Sequence, residues 1–181
     1  MRASLIYLVG TISDIYLAML LLRVMLQWVR ARFDNPLAHF VVAVTDLFVI
    51  PARRVLPSVA GIDAPTLLVL VGLEILVTWV LFTLIGASAS FTVFVYMVVL
   101  RLAVLVIWIY TIAIVVYALL SFIPNGAYSP VAPPLRALVE PLLRPLRRVI
   151  PPIANLDITP WVAVLLLQAI RIALPIWPYL R

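Results

Sequence analysis

Pro51-Ala52-Arg53-Arg54-Val55-Leu56-Pro57-Ser58-Val59-Ala60-Gly61-Ile62-Asp63 recurs 94 residues later as Pro145-Leu146-Arg147-Arg148-Val149-Ile150-Pro151-Pro152-Ile153-Ala154-Asn155-Leu156-Asp157. The shared pattern is P-x-R-R-V-x-P-x-x-A-x-x-D. Extended back to Pro36 and Pro130, the same offset gives ten identities in 28 positions, Ala38/Ala132 and Ala43/Ala137 among them. Long apolar blocks flank both copies. Each half therefore reads as span, basic segment, span, and a unit that crosses twice keeps its orientation when copied. The expectation is an all-α membrane protein of four transmembrane helices in two parallel span–amphipathic helix–span repeats, residues 1–87 and 88–181.

Composition supports that reading. Of 181 residues 66% are hydrophobic and 11% charged, against about 25% charged in soluble domains. A water-soluble enzyme and a disordered chain are both excluded. Crossing a bilayer takes about 20 apolar helical residues. The spans are predicted at about 5–29, 65–85, 98–123 (within Phe91–Ile123) and 159–178, with amphipathic segments at about 36–56 and 133–150. The first span is expected to be retained, because no small-x-small cleavage site follows it.

All 13 basic residues are arginine, and the net charge is +6. Arg30, Arg32, Arg53 and Arg54 lie between the first two spans, and Arg136, Arg144, Arg147 and Arg148 between the last two. The turn Gly86-Ala87-Ser88-Ala89-Ser90 has none. Excess arginine on cytoplasmic loops predicts a multi-pass membrane protein with both termini outside and both basic segments cytoplasmic. Arginines set between apolar blocks do not point to nucleic acid. With no cysteine and one histidine, His39, thiol chemistry and a multi-histidine metal site are excluded. No nucleotide, hydrolase or metalloprotease motif is present, so no catalytic residues and no cofactor are expected.

Leu135, Leu138, Val139, Leu142, Leu143, Leu146, Val149 and Ile150 form a helical stripe, opposite Arg136, Glu140, Arg144, Arg147 and Arg148. The first copy is more apolar. Its stripe is Leu37, Phe40, Val41, Val44, Leu47 and Phe48, opposite His39, Thr45 and Asp46. Such segments serve as interfacial anchors on anionic lipid headgroups or as docking faces for a membrane or cytoplasmic protein partner. Asp63 and Asp157 precede proline-led apolar runs, as helix caps do. An ion or lipid contact at those helix starts is the other reading.

Asp14, Arg23, Glu74, Arg101 and Arg171 fall inside predicted spans, where charges are costly and usually pair. Depths counted at about 1.5 Å per residue from the basic ends suggest Arg23 with Glu74 and Asp14 with Arg171. The same count leaves Arg101 near the outer interface. The pairs are either glue between helices or, through Asp14 and Glu74, a proton or cation path in an oligomer.

With its L-L-R-V-x-x-Q-W (Leu21–Trp28), F-D-N-P (Phe33–Pro36) and the doubled arginine motif, the chain resembles the two-copy form of the YggT family of bacterial and plastid membrane proteins. The resemblance carries Pro51, Arg53, Arg54, Pro57, Gly61 and Asp63 in the first copy. In the second it carries Pro145, Arg147, Arg148, Pro151, Asp157 and Pro160, with Asn155 where glycine is usual. It implies an inner-membrane or thylakoid location. It also implies roles in osmotic stress and ion homeostasis, division-site or nucleoid organisation, or haem attachment to cytochrome b6, the last poorly matched by one histidine and no cysteine. Two functions are thus expected: a non-enzymatic envelope or membrane-biogenesis factor that binds anionic lipid and docks partners, or an ion-conducting homo-oligomer.

Overall fold

The computed structural model describes residues 2–31, 34–54, 56, 63–123, 126, 129–150 and 157–176. Among them are six helices and no strands: α1 Arg2–Trp28, α2 Pro36–Arg53, α3 Ala64–Ile85, α4 Phe91–Phe122, α5 Ala132–Val149 and α6 Thr159–Ala173. Pro57, Gly61 and Pro151 of the repeated motif lie outside the described residues.

The helix ends follow from local chemistry. Asn35 caps α2, its side chain accepting from Ala38 N at 2.9 Å, with Pro36 in the first turn. Asp63 caps α3 in the same way, accepting from Thr66 N at 3.4 Å. Gly86 ends α3 at φ 76°, a left-handed position that glycine adopts without a Cβ clash. Ser90 opens α4 four residues later. Asp157 departs from the expected pattern: Ile158 occupies the cap position of α6, and Asp157 accepts from Thr159 N at 2.9 Å from one residue further out.

α1, α2 and α3 pack against one another pairwise, as do α4, α5 and α6; α4 joins the trios by contacting α1 and α3, and α5 touches α1. The main core runs through Leu17, Leu20, Ile114, Leu138, Val139 and Leu143. Much of the outer surface is apolar, including Leu5, Ile12, Trp79, Val99 and Leu165. A surface of this kind faces hydrocarbon.

Four helices, α1 to α4, are long and apolar enough to cross a membrane. That set differs from the predicted one at both ends of the list. α2 qualifies with 18 residues, whereas α6 has 15 where a span over 159–178 was expected. Pro175 accounts for the early stop: the residue before a proline is driven out of helical geometry, and Leu174 sits at ψ 126°. α4 is unbroken through Arg101 and has 32 residues, a length of about 48 Å, so it exceeds a bilayer core by several turns.

α5 keeps the predicted pattern. Leu135, Leu138, Val139 and Leu143 are buried, Leu142 and Leu146 pack on the same core, and Arg136, Arg144 and Arg148 are exposed. Val149 departs from the stripe and is 79% exposed. In α2 the stripe is rotated from its expected position. Ala38, Val41, Thr45 and Val49 face inward, while Phe40, Leu47 and Phe48 face out. The cause is Arg23 of α1, whose buried guanidinium draws the polar edge of α2 inward.

Candidate functional site

Arg23 is 2% exposed. Its Nη1 donates to Thr45 Oγ1 at 2.6 Å and to Asp46 Oδ1 at 2.8 Å. Its Nε lies 3.8 Å from Asp63 Oδ2 and makes no hydrogen bond. Gln27, one turn along α1 on the same face, donates to Asp63 Oδ2 at 3.2 Å. Arg53 Nη2 at 2.9 Å and Thr66 Oγ1 at 2.7 Å converge on the same oxygen. Burial alone would raise the Asp63 pKa. The bonds from Thr66, Arg53 and Gln27 outweigh it and hold the carboxyl below the usual carboxylate range. Arg23 and Gln27 of the L-L-R-V-x-x-Q-W motif thus clamp the start of α3 and the side of α2 to α1. The expected Arg23–Glu74 pair does not form.

Glu74 pairs with Arg101 instead. Arg101 Nε donates to Glu74 Oε1 at 2.7 Å and Nη2 to Asp14 Oδ1 at 2.5 Å, so three helices meet at one guanidinium. Arg101 is 3% exposed and Glu74 0%. Thr78 Oγ1 donates to Glu74 Oε1 at 3.0 Å, and Glu74 Oε2 has no hydrogen-bond partner among the described residues. Arg101 is therefore not at an interface. The depth count erred by starting at the far end of an over-long helix; counted from the turn 86–90, Arg101 and Glu74 are about equally deep, near 15 Å. Arg171, expected beside Asp14, lies with its guanidinium 5.4 Å from the centre of the Trp108 ring and donates to Gln168 at 3.4 Å.

In the second arginine motif, Arg147 Nε donates to Asp157 Oδ2 at 2.9 Å, the same ten-residue separation as Arg53 and Asp63. Its Nη1 reaches Glu140 Oε2 at 3.0 Å. Burial would raise the Asp157 pKa, but Thr159 and Arg147 hold it below the usual range. Burial would lower the pKa of Arg147, and Asp157, Tyr117 and Glu140 raise it. Arg53 and Arg147 are thus engaged within the protein. Arg54, Arg136, Arg144 and Arg148 are exposed and, among the described residues, have no carboxylate within ion-pair distance. Pro51 and Pro145 are exposed helix positions, and Pro160 is buried in the first turn of α6.

Gln27, Thr45, Asp46, Thr78 and Glu140 complete these networks without having been singled out as site residues. Signals were present for three of them. Gln27 is spaced one turn from Arg23, and Asp46 and Glu140 occupy equivalent places at the 94-residue offset.

A family model described as CCB3/YggT matches residues 2–85 and again residues 89–178. The chain is 34% identical to the "Uncharacterized protein YggT" of Escherichia coli strain K12 over 169 residues, covering 93% of this chain and 87% of that protein. It is 34% identical over 186 residues to a protein from the proC 3' region of Vibrio alginolyticus, covering 96% and 97% of the two chains. An uncharacterized Pseudomonas aeruginosa protein is 30% identical over 172 residues, 94% and 87% of the two. No solved structure matches the chain at a significant level.

Proposed function

The chain belongs to the CCB3/YggT family, and from that premise we propose that it is a non-enzymatic inner-membrane factor for envelope or membrane biogenesis, built as two parallel repeats. Its arginine face binds anionic lipid headgroups and docks a membrane or cytoplasmic protein partner. One observation carries this reading: α5 buries its leucines on the protein core while Arg136, Arg144 and Arg148 point away from it and, among the described residues, have no carboxylate within ion-pair distance. An apolar stripe already covered cannot also enter lipid, so the free face acts by charge. The doubled arginines then lie on the cytoplasmic side, where anionic lipid attracts each basic residue by about 1 kcal/mol.

Retention of lipid by the purified protein tests this. The wild type is expected to keep phosphatidylglycerol in preference to phosphatidylcholine when counted by native mass spectrometry. Replacing Arg54, Arg136, Arg144 and Arg148 with glutamine is expected to weaken retention roughly fivefold per residue. Equal retention of both lipids by wild type and variant would remove the lipid part of the proposal.

Conduction of ions by an oligomer is the second reading, favoured by acids inside the spans, the part-buried Asp14 and the fully buried Glu74. Two features support docking over it. Arg101 closes on both carboxylates, and the cavity of about 350 Å³ between α1, α4 and α5 is lined by apolar side chains such as Met19, Leu22, Ile112 and Leu138. Cation flux into proteoliposomes that falls with Asp14→Asn or Glu74→Gln would reverse that preference.

A further inference from the structure

The three side chains that meet between α1, α3 and α4 do not balance in charge. Arg101 is one cation, and Asp14 and Glu74 are two acids. With both acids ionised the cluster would carry a net negative charge inside the apolar bundle, an expensive state in low dielectric. Asp46 of α2 receives Arg23, and Arg171 of α6 lies over Trp108, two turns along α4 from Arg101.

A second observation is independent of that count. Glu74 is 0% exposed, and its Oε2 is buried with no hydrogen-bond partner among the described residues, whereas Oε1 accepts from both Arg101 and Thr78. A buried carboxylate oxygen without a donor loses the solvation that ionisation needs. The same oxygen in an un-ionised acid carries its own hydrogen.

We propose that the Asp14–Arg101–Glu74 cluster is a binding site for one proton, held on Oε2 of Glu74. Binding adds H⁺ to an oxygen lone pair and breaks no bond in the protein. Glu74 becomes neutral while its Oε1 keeps both donors, and Asp14 and Arg101 remain as a neutral ion pair. A metal cation is a poorer occupant, because it needs several oxygen ligands and the cluster offers one unengaged oxygen on Glu74. Glu74 itself is sealed, but the side chain of Asp14 is 34% exposed.

Infrared spectroscopy of the full chain in lipid vesicles at neutral pH and low sodium tests the proposal. The C=O stretch of one un-ionised carboxylic acid is expected, shifting in D2O. Glu74→Gln is expected to abolish it by removing the carrier. Asp14→Asn is expected to abolish it as well, since removing the second acid lets Glu74 ionise against Arg101. Asp157→Asn, outside the spans, should leave it in place, and Arg101→Gln should roughly double it. Absence of the band in the wild type overturns the proposal without any variant. So does a band that survives Glu74→Gln, or one that sodium removes at constant pH. The band reports carboxyl protonation and lipid retention reports the arginine face, so the two proposals fail separately.

Discussion

Arg23 and Arg101 do related physical work at two places: the buried Arg23 guanidinium bonds two acceptors on α2 and lies within ion-pair distance of Asp63 at the start of α3, and that of Arg101 bonds carboxylates on α1 and α3. Breaking a buried, hydrogen-bonded ion pair by removing one partner costs about 3–5 kcal/mol. Arg101→Met is therefore expected to lower the thermal unfolding temperature in detergent far more than Arg144→Met, whose parent side chain is exposed. Asp157 gives a pH prediction. Its folded-state pKa is depressed, so its contribution is complete above the ordinary carboxylate range and is lost as pH falls through that range and below it. Wild type should be more stable than Asp157→Asn at pH 7, by a small margin because the carboxylate is 40% exposed. The difference should vanish in acid, as followed by thermal unfolding across pH. At this scale the charged residues were legible in the sequence, but their partners were not. Depth along a helix depends on which end is used as origin, and α4 projects far beyond the level where α3 begins.

Among the elements, α5 and α2 show why one amphipathic pattern was readable and the other was not. α5 has enough arginine on one side and leucine on the other that a single orientation buries its apolar face. α2 is apolar nearly all round, so burial does not choose its inward face. Thr45 and Asp46 choose it, by meeting Arg23. Leu138 is 0% exposed in the α5 contact. Leu138→Ala should cost about 2–5 kcal/mol and loosen α5, detectable as faster amide exchange along that helix. The same substitution at Val149, which is 79% exposed, should leave exchange unchanged.

For the whole molecule, hydropathy and the 94-residue offset yielded the helical class and six of the segments that become helices. They did not show that α2 is long and apolar enough to span, nor that α6 stops at Ala173. Those depend on Pro175 and on what lies beside each helix. Orientation is open to direct test, because the chain has no cysteine to interfere. A single cysteine at Ser88→Cys, in the turn between α3 and α4, is expected to react with an impermeant maleimide on intact cells. One at Arg148→Cys should react after permeabilisation. The reverse pattern would place the arginine face outside.

Under the proposed lipid binding, the covered leucines of α5 also determine what sort of membrane the protein would sense. A helix that inserts its greasy side responds to curvature and to packing defects between lipids. One that presents guanidinium groups alone responds to surface potential, and is silenced when salt shortens the Debye length. Enrichment of this protein at charged patches of membrane should therefore be indifferent to vesicle diameter and steeply dependent on ionic strength.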